Sequence, residues 1–76
     1  MNNVRRNKIN VIIKKFESLK EEVEAILNEE QEAFDNLPEG FQDSERGCAM
    51  QEAIDNLESS VDGVDEIIDY LNESII

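Results

Sequence analysis

Between Met50 and Ile75 the apolar residues Met50, Ile54, Leu57, Val61, Val64, Ile68, Leu71 and Ile75 follow one another at alternating steps of four and three. No other feature of the chain restricts its fold as much. An unbroken seven-residue repeat keeps one apolar seam on one side of an α-helix and requires a second helix along its length. The residues between are acidic: Glu52, Asp55, Glu58, Asp62, Asp65, Glu66, Asp69 and Glu73. The segment therefore predicts a helix with an oily seam and a negative back.

The earlier part of the chain supplies the partner. Ile9, Ile12, Phe16, Leu19, Val23, Ile26, Ala33 and Leu37 carry the same repeat, with Glu30 as the one charged residue in that seam. Ile13, Leu27 and Phe34 sit beside it and widen it to the three-in-seven stripe of a bundle helix. No Gly or Pro interrupts residues 1–37. A helix is expected over about 4–37, with Asn2 or Asn3 as N-cap. Pro38 and Gly40 then break it, and Phe41 is expected to cover the end of the core. Asp43 or Ser44 should cap a second helix over about 44–74, with Glu45 in the first turn, where the helix dipole favours an acid. A connection as short as 38–43 makes the helices antiparallel neighbours. The expected fold is all-α: one domain over 1–76, an antiparallel, coiled-coil-like two-helix hairpin, with dimerisation into a four-helix bundle as an option.

Size and composition exclude several classes. A chain of 76 residues buries a modest core and often relies on a metal, disulfides or association. Cys48 is the only cysteine and histidine is absent, which rules against a disulfide scaffold and a zinc site. The longest apolar run, Val11-Ile12-Ile13, is far short of a membrane span. Lys14 and Lys15 follow it with no small-residue cleavage site, so no signal peptide is expected and the cytoplasm is the expected location. The formal net charge is −12. Residues 1–20 hold six basic residues and one acid, net +5, whereas residues 21–76 hold eighteen acids and Arg46, net −17. Such a field repels nucleic acid and anionic membranes and attracts basic surfaces. It also serves simply to keep a small helical protein soluble.

Antiparallel packing brings the basic start of helix one beside the acidic end of helix two. Arg5, Arg6, Lys8, Lys14 and Lys15 are expected to neutralise part of the Asp62–Glu73 run, leaving the turn end negative. Glu30 either reaches water or Arg46 near the end of the hairpin, or sets register as a buried polar residue. Gly47 lies in the seam, where the absence of a side chain lets the helices approach. Gly63 lies off the seam, either as a tolerated weak point or as a place where a partner backbone comes near.

Residues 32–47 read E-A-F-D-N-L-P-x-x-x-Q-x-S-E-R-G. This resembles a group of small acidic helical proteins encoded in phages and bacterial mobile elements, and the likeness continues through Ala53-Ile54-Asp55-Asn56-Leu57 and the acidic heptads. Gly40-Phe41 and Cys48 depart from the pattern. The resemblance implies the hairpin and a phage-like origin, and it transfers no catalytic residue.

Catalytic chemistry finds no footing. Ser18, Ser44, Ser59, Ser60 and Ser74 have no His to activate them, and isolated glycines form no phosphate loop. A two-helix hairpin offers no cleft for paired carboxylates, and Asp62-Gly63-Val64-Asp65 lacks EF-hand spacing. The expectation is a non-enzyme without cofactor or metal. Two functions remain. In the first, Glu52, Asp55, Asp62, Glu66, Asp69 and Glu73 form a row of anions that imitates nucleic acid. That row would occupy a basic, nucleic-acid-binding protein as a phage-type inhibitor, without contacting nucleic acid or membrane. In the second, the chain is a structural or adaptor module whose homodimer buries Ile13, Leu27, Phe34, Ala53 and Ile67. A third use, nucleic acid held by the basic N-terminal residues, is disfavoured by the net charge.

Overall fold

The computed structural model describes all 76 residues. Two helices, α1 (Asn3–Asp35) and α2 (Glu45–Ser74), pack antiparallel as a hairpin 58 Å long and 15 by 11 Å across. No strand is present, and neither helix is long and apolar enough to cross a membrane.

Local chemistry sets the ends. The Asn2 side chain accepts the Arg5 N–H at 2.9 Å and caps α1. Its first turn contains no acid, so Arg5 and Arg6 stand against the helix dipole. Arg6 instead reaches across the hairpin, where its Nε donates to the Ile76 carbonyl at 3.1 Å. The last turn of α2 has no base of its own, so a cation from α1 serves the negative end of that helix. Helix α1 stops at Asp35, two residues before the expected end. Pro38 disfavours helical backbone at Leu37, whose N–H closes a tighter turn onto the Phe34 carbonyl at 3.1 Å. Gly40 takes a positive φ of 90°, and the Phe41 N–H returns to the Pro38 carbonyl at 3.0 Å. Ser44 caps α2 by accepting the Gly47 N–H at 3.1 Å.

The α2 seam lies where the repeat placed it: Ile54 is 1% exposed and the other seven residues are half-buried. The α1 seam differs. Its covered positions are Ile9, Ile13, Phe16, Lys20, Val23, Leu27, Glu30, Phe34 and Leu37. Ile12, Leu19, Ile26 and Ala33 are exposed, so Ile13, Leu27 and Phe34 are core rather than leftover surface. Two repeats overlap on α1, and this choice covers Leu27 and Phe34 in preference to Ile26 and Ala33. It places Lys20 in the seam, where the apolar stem is covered and the ammonium reaches out to Asp65 at 2.7 Å and Glu24 at 4.0 Å. The hydrogen bond to Asp65, with the charges of Asp65, Glu24 and Glu17, holds the Lys20 pKa above its ordinary value.

The covered positions of the helices have mirrored steps. Antiparallel, they set Ile9 level with Ile75, Lys20 with Val64, Glu30 with Ile54 and Leu37 with Gly47. The Lys20–Asp65 contact fixes that register.

Three further expectations change. Phe41 is 60% exposed and covers no core; it contributes backbone, accepting the Ser44 N–H at 3.1 Å. Gly47 is buried against the connection rather than against α1: a Cβ there would collide with the Gln42 carbonyl oxygen and lie 2.6 Å from that of Phe41. Glu30 is half-buried and forms no ion pair with Arg46. A charge at a half-covered seam position loses hydration without gaining a partner. Glu30→Leu is expected to raise stability by about 1 kcal/mol, read as a higher urea midpoint; an unchanged or lower midpoint would show that Glu30 specifies the register.

Candidate functional site

Heptad positions a to g are assigned with a at Ile13 on α1 and at Ile54 on α2, so that a and d form the seam. Around a helix the order is a, e, b, f, c, g, d. All nine acids of α2 fall at e, b or f: Glu58 and Asp65 at e, Asp55, Asp62 and Asp69 at b, and Glu45, Glu52, Glu66 and Glu73 at f. None falls at c or g. The negative back is thus a single arc along one flank of α2.

The six residues singled out from the sequence, Glu52, Asp55, Asp62, Glu66, Asp69 and Glu73, are all exposed and all on the outer part of this arc. They run along roughly 32 Å of helix at about 1.5 Å per residue. Steps of three and four residues separate them, except where Ser59 replaces an acid between Asp55 and Asp62. Within the protein, Asp55 accepts the Gln51 amide at 3.0 Å. Glu66, Asp69, Tyr70 and Glu73 border an open groove of about 230 Å³.

The expected neutralisation by the N-terminal bases does not occur. Arg5, Arg6, Lys8, Lys14 and Lys15 form no ion pair with the Asp62–Glu73 run. Both ion pairs of the protein belong to Lys20, and its α2 partner is Asp65 at the inner edge of the arc. The cause is positional. Lys14 and Lys15 lie at b and c, pointing away from α2, and Arg6 is engaged at Ile76. The six outer carboxylates are left without an ion-pair partner; Asp65 alone of the arc has one. No three carboxylates or thiols converge closely enough to hold a metal ion, so the ridge acts as separate charges.

Sequence reasoning missed Tyr70, which is 71% exposed beside Glu66, Asp69 and Glu73. It also missed the sidedness of the acids. Assigning every heptad position, not only a and d, would have found both. No protein-family model, curated protein or solved structure matches the chain.

Proposed function

We propose that the protein is a non-enzymatic binding module whose α2 ridge imitates the charge of nucleic acid and occupies a basic, nucleic-acid-binding protein. One observation carries this reading: six exposed carboxylates stand in a row with none of the chain's own cations bound to them. Their steps of three and four residues correspond to about 4.5–6 Å along the helix, against about 3.4 Å per charge along each strand of duplex DNA. Such a rod meets a groove built for phosphates over a long contact without matching any base. Charge steering makes the association fast and salt-sensitive. The resemblance of residues 32–47 to phage and mobile-element proteins supports an inhibitor of a host protein in the cytoplasm, with no membrane or direct nucleic-acid contact.

The test is capture of host nucleic-acid-handling proteins on the immobilised chain at low and high salt. Capture at low salt, its loss at high salt, and at least tenfold weaker capture by Asp55→Lys/Asp62→Lys/Asp69→Lys are expected. Equal capture by the charge-reversed variant would rule the proposal out.

A further inference from the structure

The face opposite the acidic ridge is built differently. In an antiparallel pair the g positions of both helices border the same side of the seam. On α1 these are Arg5, Ile12, Leu19, Ile26 and Ala33; on α2 they are Arg46, Ala53, Ser60, Ile67 and Ser74, so each row is uncharged beyond an arginine at its start. Ile12, Leu19, Ile26 and Ile67 are 41–54% exposed. The neighbouring c positions of α2, Ala49, Asn56, Gly63 and Tyr70, are uncharged as well. Only two apolar side chains in the chain, Ile13 and Ile54, are buried. A hairpin with so small a core has much to gain from association.

We propose that this face docks a second copy of the chain, with α1 lying antiparallel on α1 about a two-fold axis at Leu19. Charge complementarity selects that arrangement. The c positions flanking the α1 stripe are Lys8 and Lys15 towards one end and Glu22 and Glu29 towards the other. Turning a second α1 about Leu19 brings Lys15 opposite Glu22 of the second copy and Lys8 opposite Glu29. The symmetry repeats both pairs. Packing α1 on α2 of the second copy offers no such match, because α2 has no charge at c.

The shape of α1 agrees independently. The largest concavity of the molecule, an open groove of about 430 Å³, is lined by Asn7, Lys8, Val11, Ile12 and Lys15. Its floor is apolar and a lysine stands at each end. The two-fold axis sets Ile26 of the second copy over that floor, with Glu29 and Glu22 beside Lys8 and Lys15.

The hairpin register sets Leu19 level with Asp65, so the same axis crosses α2 at that level. The acidic arcs stay on the outside, so one dimer presents two ridges.

The test is sedimentation equilibrium of the full chain at micromolar concentration, with far-UV circular dichroism on each variant. The wild type is expected at twice the chain mass. Leu19→Glu sets two carboxylates together on the axis and weakens association on the order of 100-fold, while helicity is kept because Leu19 is outside the hairpin seam. Lys15→Glu weakens association about tenfold, and Lys15→Glu/Glu22→Lys restores it. Lys15 and Glu22 are two turns apart on one helix and do not meet within a chain, so that rescue reports the contact between copies. A monomeric wild type, a dimer indifferent to Leu19→Glu, or a charge swap without rescue would each overturn the proposal.

Discussion

Ile54→Ala is expected to destabilise the hairpin by about 2–5 kcal/mol, a large part of the roughly 4–11 kcal/mol available to a chain of this length. Ile54 is the one side chain below 2% exposure, and it lies level with Glu30, which supplies little apolar contact in return. The loss is read by urea denaturation followed by far-UV circular dichroism. Leu57→Ala, one turn away and half-buried, should cost less, because part of its surface already meets water. Equal losses at the two positions would mean that Ile54 is not the centre of the core.

Gly47→Ala is the second large effect, expected at about 2–4 kcal/mol. The added methyl would meet backbone rather than flexible side-chain ends: the carbonyls of Gln42 and Phe41. Relieving the collision moves the connection. It also opens the Ser44 cap, since the Gly47 N–H is the donor that Ser44 accepts. Gly63→Ala is the control with opposite sign. The substitution is expected to add about 1 kcal/mol to stability, because nothing surrounds that position. If both glycines behaved alike, backbone propensity alone, and not the packing of the turn, would account for Gly47.

The contrast between the helices shows what a sequence of this kind discloses. Helix α2 offers a single apolar repeat, and every member of it is covered. Helix α1 places apolar residues side by side at Ile12–Ile13, Ile26–Leu27 and Ala33–Phe34. Two repeats therefore run in parallel, sharing Ile9, Phe16, Val23 and Leu37, and periodicity gives no means of choosing between them. The choice was made by packing, including the reach of Lys20 to Asp65, which no spacing rule encodes. The turn was legible in its punctuation: Pro38, Gly40 and Ser44 act as their chemistry dictates. The neighbours of Phe41 and Gly47 depend on the path of the nine connecting residues 36–44, and the composition of those residues does not determine that path.

The candidate ridge was legible in a similar way. The acids and their spacing could be read directly, and all six residues are exposed. Their freedom from the N-terminal bases could not. Charges that come near in an antiparallel diagram still have to point at one another, and Lys14 and Lys15 point away. Exposed pairs of that type contribute only about 0–1 kcal/mol, too little to draw long side chains around a helix.

Displacement of duplex DNA tests the central claim most directly. A basic protein captured by the chain is saturated with labelled duplex DNA at low salt and titrated with the hairpin, and fluorescence anisotropy follows the DNA. Competitive release of the DNA is predicted, with no release by Asp55→Lys/Asp62→Lys/Asp69→Lys. A ternary complex, in which DNA and hairpin stay bound together, would contradict it.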